Sequence, residues 1–371
     1  METCDVLVVG GGPAGSTCAW KLRQAGADVT VIDQATFPRD KVCAGWITPP
    51  VIDALGIDTA AYAHGRTFQP ITGFRTGVIG RRTDVQTRYG EPVSYGIRRC
   101  EFDDYLLKRS RARLLLGTPV KALERTNGRW LVNGRISAAV IVGAGGHFCP
   151  VARRLNGAPA PPALVRAQEA EFPVTEDDGD GFAIDPERPE LYFSPDLRGY
   201  GWCFRKQGYL NIGIGRLGTD PLPKAYAGFI EFLREGRKIP ASGDWRPRGH
   251  AYLLYQRRAG QVVGDGLLLV GDAAGLAVPQ SGEGIRPAIE SGLMAADALV
   301  AATGDYAVGR LRPYETRLRA RASAAIKDGG RSPMIEHLSA RIGTWLLARS
   351  WFVRHMVVDR WFLGRHLDST F

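Results

Sequence analysis

Apolar positions in this chain form uninterrupted runs near both ends and alternate with polar ones through the middle. Near the N-terminus, Val6-Leu7-Val8-Val9 is an apolar run of strand length that gives way at once to Gly10-Gly11-Gly12-Pro13-Ala14-Gly15. Helical spacing follows from Ala14 to about Ala25, and Val29-Thr30-Val31-Ile32 is a second strand, closing on Asp33. Strand, glycine turn, helix and strand in this order predict a parallel βαβ unit. Near the other end, Leu267-Leu268-Leu269-Val270 is a further apolar strand ending in Gly271-Asp272. A Gly/Pro-rich turn through Pro279 and Gly282 leads from it into a helix starting near Gly284 and Ile285. Between these ends, Val, Ile, Tyr and Phe runs broken by Gly and Pro predict an antiparallel sheet. Tyr200, Trp202 and Phe204 alternate along one of its strands and so share a face. The fold class predicted is α/β with an α+β substrate part: a Rossmann-like domain, an inserted antiparallel-sheet domain and a C-terminal helical segment. The nucleotide domain is expected to be discontinuous, from 1–70, 95–160 and 255–325, the substrate domain from 71–94 and 161–254, and the helical region from 326–371. A chain of 371 residues suits two intertwined domains better than one.

The C-terminal stretch has a pattern of its own. Trp345, Leu346, Leu347, Trp351, Phe352, Val353, Met356, Val357, Trp361, Phe362 and Leu363 recur at roughly helical spacing, with Arg341, Arg349, Arg354, Arg360 and Arg365 among them. No apolar run approaches the ~18 to 20 residues of a spanning helix. Three readings fit: helices packed on the protein's own core, an amphipathic surface over 341–366 resting on a membrane, or a lid over a long apolar substrate.

The glycine turns bring in chemistry. Gly10 and Gly12 let the backbone approach a pyrophosphate, Gly15 lets helix and strand pack closely, and the helix N-terminus offers amides and a positive dipole end to phosphates. Asp33, at the end of the next strand, is placed to take ribose hydroxyls. A second match to the glycine spacing, Gly213 to Gly218, runs into Thr219-Asp220-Pro221-Leu222-Pro223 and reads as the end of a strand, since proline cannot sit inside the helix the motif requires. No second nucleotide domain is therefore visible, and a nicotinamide donor is expected to visit from a shallow site. A bound NAD needs only the N-terminal unit, whereas FAD has a ribityl chain whose hydroxyls Asp272 can hold while the following helix N-terminus faces the isoalloxazine. FAD is the cofactor expected. Arg99 reads equally as a flavin contact or a surface ion pair, and Ser281 and Glu283 as helix caps.

Four segments resemble the class of FAD proteins that includes aromatic hydroxylases, flavin halogenases and geranylgeranyl reductases: Gly10 to Gly15, Arg99-Cys100-Glu101-Phe102-Asp103, Val142-Gly143-Ala144-Gly145-Gly146, and Gly271 to Gly284. Two more are similar to the geranylgeranyl reductase family: the cysteine loop Phe37-Pro38-Arg39-Asp40-Lys41-Val42-Cys43-Ala44-Gly45, and Tyr200-Gly201-Trp202-Cys203-Phe204 running to Asn211-Ile212-Gly213-Ile214-Gly215. The family places Pro where Arg205 stands and a second Gly where Trp46 stands. The resemblance implies that Cys43 approaches flavin and substrate, with Tyr200 and Trp202 beside it, and that Tyr200, Trp202 and Phe204 line a substrate cavity. It adds Pro13, Ala14, Gln34, Arg39, Cys43, Ala44, Gly45, Gly143, Ala144, Gly145, Pro279, Gly282, Gly284 and Ile285 to the cofactor contacts. The activity implied is saturation of C=C bonds in an isoprenoid or other lipid-like substrate by hydride from reduced flavin, the flavin being reduced by NAD(P)H or a redox protein. Hydroxylation of an aromatic or polyketide-like molecule and simple electron carriage are the alternatives.

Charge and cysteine usage change little. The net charge of +10 comes largely from dispersed Arg without a nucleic-acid module, so no nucleic-acid partner is expected. The six cysteines show no CxxC spacing and the six histidines are scattered, so no metal site is expected. With no signal peptide apparent, a cytoplasmic setting is expected, with the cytoplasmic membrane face as a further possibility. Nothing in the pattern addresses oligomeric state.

Overall fold

In the computed structural model, which describes residues 1–157, 164–174, 183–218, 221–240, 245–254, 260–329 and 340–365, the first apolar run lies inside the strand Glu2–Val9. Val6 to Val9 are all buried, as a strand in a parallel sheet covered on both faces requires. Ile136–Gly143 and Val29–Ile32 flank this strand in parallel, Leu267–Leu269 lies beyond the former and Arg113–Leu115 beyond the latter. Hairpin strands Leu123–Thr126 and Arg129–Val132 and the short strand Val263–Gly264 complete eight strands among the described residues.

This topology explains why distant residues meet. The chain leaves the sheet after Val29–Ile32 and returns twice to the other side of Glu2–Val9, so the C-terminal ends of three strands lie together. There Ala144 N–H donates to Val9 O at 2.8 Å and Val270 N–H to Gly143 O at 3.0 Å. Open α/β sheets bind ligands in such a crevice. Two helices rise from it, Pro13–Gln24 and Ile285–Ala301. They pack closely because glycine permits it: a Cβ on Gly292 would stand 2.5 Å from Ala14 O; a Cβ on Gly15 would stand 1.9 Å from Gly10 O, in the turn that precedes its own helix. The polypeptide at Gly271–Ala274 makes a single 3-10 turn before this second helix.

A second sheet lies across the crevice. Its order is Arg248–Leu253, Leu164–Pro173, Tyr209–Leu217, Gly199–Lys206, Glu190–Phe193, Gly73–Val78 and Asp84–Arg88, and Glu190–Phe193 with Gly73–Val78 is its one parallel pairing among the described residues. One face packs the helix Leu222–Glu235 through Phe229 and Leu233 against Leu210, Ile212 and Ile214. Trp202 and Phe204 of the same sheet pack with Phe74, Val353, Val357 and Phe362 in a separate cluster. A small sheet of Trp46–Ile47, Ser94–Ile97 and Phe68–Ile71 stands beside them. The second glycine pattern is a strand, as expected: Gly213 and Gly215 lie within Tyr209–Leu217, and a Cβ on Gly213 would stand 2.2 Å from Trp202 Cζ2. That glycine makes room for an indole, not a phosphate. Thr219 and Asp220 lie outside the described residues.

The C-terminal pattern forms a helix Ala340–Leu346, a turn at Ser350–Phe352 and a wide π-type helix Val353–Phe362. Val353, Val357, Val358 and Phe362 are buried, while Ile342, Trp345 and Trp351 are 50%, 55% and 67% exposed. Of the expected region 326–371, residues 330–339 and 366–371 lie outside the described residues. Among the described residues no helix is long and apolar enough to cross a membrane, and no His/Cys/Asp/Glu group is placed to hold a metal ion.

Candidate active site

A cavity of about 630 Å³ runs from the strand ends to the aromatic face of the second sheet, within the ordinary range for a ligand site. Gly10, Gly12, Pro13 and Ala14 form one end of its wall. The helix Pro13–Gln24 has no side-chain cap at Gly12, so the amides of its first turn remain open to an anion. Gly10 turns with φ of 115°, and a Cβ there would stand 2.4 Å from Ala144 O. Asp33 accepts from Gly11 N at 2.7 Å and Ala35 N at 2.8 Å, tying the glycine turn to the neighbouring strand. Its carboxylate and Gln34 still line the cavity, as do Ala144 and Gly145.

The second glycine turn closes the site from the far end of the chain. Asp272, Gly282, Gly284 and Ile285 line the same cavity. Gly284 precedes its helix without a side-chain cap, and a Cβ there would stand 3.3 Å from Asp272 Oδ1. Burial lifts the Asp272 carboxyl above its ordinary range, against the pull of Lys41, Arg99 and His147. Two helix N-termini, the second with the Glu283 carboxylate at its Arg286 N–H, and carboxylates at two strand ends suit a dinucleotide with two phosphates, a ribose and a ribityl chain. Ser281 and Glu283 are wall residues too. Burial, opposed chiefly by Arg286, lifts Glu283 to about 7.

The cysteine loop crosses between these ends. Arg39, Lys41, Cys43 and Ala44 line the cavity, and Gly45 N donates to Cys43 Sγ at 3.4 Å. Arg99 makes two 2.8 Å hydrogen bonds to the buried Asp103 carboxylate, which Arg39 also approaches at 3.3 Å. Arg99 is thus an ion pair, but on the cavity wall and not on the surface. Burial pulls its guanidinium down, yet Asp103 and the Cys43 sulfur together hold it above its ordinary value. Lys41 Nζ donates to His250, 2.7 Å from Nε2 and 3.2 Å from Nδ1. Burial and then the Arg99 charge lower Lys41 to about 8, while burial and then Lys41 lower His250 to about 3, so the imidazole is a neutral acceptor.

The other wall is aromatic. Tyr200 O–H donates to Ser281 O, and Trp202 Nε1–H to Asn211 Oδ1 at 2.7 Å. Trp46 stacks on Phe362 with centroids 5.6 Å apart, and Phe362 meets Tyr200 edge-on at 5.3 Å. Phe204 shares the face of Tyr200 and Trp202 but not the cavity. It is 1% exposed and lies edge-on to Trp46 at 5.8 Å, because Trp46 covers the strand at that point. Gly15, Gly45, Gly143, Gly271 and Pro279 likewise stand behind the wall. Sequence reasoning missed Lys41, Trp46 and His250 as wall residues. The first two sit in or beside the quoted cysteine loop, whereas His250 reaches the site only through strand pairing.

Comparison with known proteins follows this geometry. Residues 8–64 match the family model of an NAD(P)-binding Rossmann-like domain. A menaquinone reductase of Mycobacterium tuberculosis is 32% identical over 323 residues, covering 80% of this chain and 77% of the relative. A geranylgeranyl diphosphate reductase of Rhodobacter capsulatus is 30% identical over 321 residues, covering 80% and 75%. The chain belongs to the geranylgeranyl reductase family. A solved geranylgeranyl bacteriochlorophyll reductase-like protein of Thermoplasma acidophilum shares its fold, with a TM-score of 0.75, 21% identity and coverage of 99% of both chains. The protein is accordingly a FAD-dependent oxidoreductase, and the reductase reading stands ahead of the hydroxylase.

Proposed function

We propose that the protein saturates carbon–carbon double bonds of an isoprenoid chain. The observation that supports this most directly is the continuity of one cavity, from two helix N-termini past the Cys43 loop to the wall of Trp46, Tyr200, Trp202 and Phe362. The substrates named for the relatives point the same way. Menaquinone and geranylgeranyl diphosphate have different head groups and share the isoprenoid chain. FAD held across the two glycine turns would supply the hydride.

The side chains then divide the work. Amides following Gly12 bind the phosphates, Asp33 the ribose and Asp272 the ribityl hydroxyls. Trp46, Tyr200, Trp202 and Phe362 align the alkene and keep water from it. Cys43 Sγ holds the proton that the second alkene carbon takes, and Arg99 beside it settles the charge left on sulfur. An acid so positioned contributes roughly 10² to 10⁴ in rate. The electron donor is NAD(P)H or a reduced redox protein that visits and leaves. Ile342, Trp345 and Trp351 rest on a bilayer surface, with Arg349, stacked over Trp345 at 4.4 Å, meeting its anionic head groups.

The test is spectroscopic. Purified protein reduced with dithionite without oxygen should regain its oxidised flavin absorbance when geranylgeranyl-bearing lipid is added. Reoxidation by air alone, with no response to the lipid, would replace this reading with the oxygen-using one.

A further inference from the structure

We propose that Glu169, Asn211 and Lys206 position Cys43 for the reaction by gripping the backbone of its loop. This rests on the proton-holding role given to Cys43 above. The three residues stand on adjacent strands of the second sheet and are 7%, 0% and 1% exposed. Their hydrogen bonds converge on one short stretch of chain. Glu169 Oε2 accepts from Cys43 N. Asn211 Nδ2 lies 3.2 Å from Cys43 O and 2.8 Å from Glu169 Oε1. Lys206 Nζ lies 3.0 Å from Ala44 O, 3.0 Å from Ile97 O and 2.6 Å from Glu171 Oε2. The amide and carbonyl of Cys43 and the carbonyl of Ala44 are thus all held from the substrate side of the crevice.

The same network ends on the substrate wall, because Asn211 Oδ1 is the acceptor of the Trp202 indole. One asparagine therefore fixes both the cysteine loop and an aromatic residue of the cavity. The chain makes room for this arrangement. A Cβ on Gly45 would stand 2.6 Å from Lys206 Nζ, and one on Gly96 would stand 2.9 Å from Lys206 Cγ. Buried charges cost free energy that apolar packing would avoid. A lysine and two glutamates here are understandable if the loop they hold must be held accurately.

The charge balance makes the grip sensitive to pH. Lys206 and Arg98 both pair with Glu171 and hold it ionised, in spite of its burial. Among the described residues Glu169 has no such direct pairing, and burial lifts it to about 7, opposed by Lys206 and the Cys43 amide. Facing it are Glu171 on its own strand, Lys206, Asn211, the cysteine loop and Tyr226 of the helix Leu222–Glu235. Each Glu169 oxygen faces an N–H donor, so the ionised form satisfies both and the neutral acid turns an O–H toward one of them. The grip is complete above about 7 and loosens below it.

A double-mutant cycle on the FAD-loaded full chain tests this. The rate read is anaerobic flavin reoxidation by geranylgeranyl lipid, followed across pH for wild type, Glu169→Gln, Cys43→Ala and the double variant. Glu169→Gln should slow the reaction roughly 10- to 100-fold, diminish the pH step near 7 that Glu169 shares with Glu283, and have no further effect in the Cys43→Ala background. Independent, multiplying effects, or a pH profile of the same shape in Glu169→Gln as in wild type, would overturn the proposal. If Glu169→Gln fails to retain FAD, Asn211→Ser takes its place in the cycle. Should Cys43→Ala alone leave the rate unchanged, the proton-holding role falls, and alkylation decides the grip separately. Iodoacetamide modification of Cys43, mapped by mass spectrometry against Cys100, should change in rate with Glu169→Gln; an unchanged ratio would overturn the grip as well.

Discussion

Glu169 sets function against stability within a single side chain. Its carboxyl titrates at about 7 in the folded protein against an ordinary 4.5. The folded state therefore holds a proton across that window which the unfolded chain has released, and stability falls as pH rises through it. His250 opposes and Glu283 reinforces this trend in the wild type, so the variant difference is what tests Glu169: between pH 5 and pH 7.5 the denaturation midpoint of the holoprotein should become more favourable in Glu169→Gln relative to wild type as pH rises, and a pH-independent difference between the two would contradict the assignment. Residues of this kind were not legible in the sequence. Glu169, Lys206 and His250 are polar positions within strands, the first two among other polar residues, and no local spacing distinguishes a strand residue facing a site from one facing water. The phosphate-end glycines were legible because backbone close approach demands glycine in a recognisable order, whereas Cys43 was singled out only through the resemblance of its loop to that of a known family. Gly213 shows the limit of the glycine signal, since its missing side chain makes room for Trp202.

Among the elements, short strand-length runs translated directly into parallel strands: Val29–Ile32 has the bounds that its pattern predicts, and the first helix begins one residue early, at Pro13. Proline at that position needs no hydrogen-bond partner and presets the helical angle. The C-terminal segment was legible as helical but not in its facing. Its periodicity leaves open which stripe is buried, and tertiary packing puts Val353, Val357 and Phe362 inward. Phe362 thereby becomes part of the cavity wall. Phe362→Ala should raise the lipid concentration needed for half-maximal reoxidation by roughly tenfold, as loss of a buried aromatic contact implies, while leaving FAD content unchanged. Equal lipid dependence of variant and wild type would remove Phe362 from the substrate path.

For the whole molecule, the sequence conveyed the architecture because its two glycine turns demanded a single ligand, and only a sheet in which the chain returns beside its first strand brings them together. The pairing of Ile136–Gly143 between Glu2–Val9 and Leu267–Leu269 provides that return. The membrane contact proposed above had no support in the charge pattern, since the +10 charge is dispersed. The folded molecule gathers Ile342, Trp345 and Trp351 at the exposed side of the segment whose other side reaches the cavity. Replacing both Trp345 and Trp351 with Ala should weaken sedimentation with anionic vesicles by roughly tenfold, and raised salt should weaken the wild type in turn; absence of vesicle binding by the wild type, or binding indifferent to both changes, would contradict the proposed membrane contact.

Saturation of an alkene leaves a product that can be weighed. Reduced protein incubated anaerobically with a geranylgeranyl lipid and analysed by mass spectrometry should yield lipid heavier by two hydrogens for each bond reduced. Lipid of unchanged mass under these conditions, with a product heavier by one oxygen atom only in air, would contradict the account.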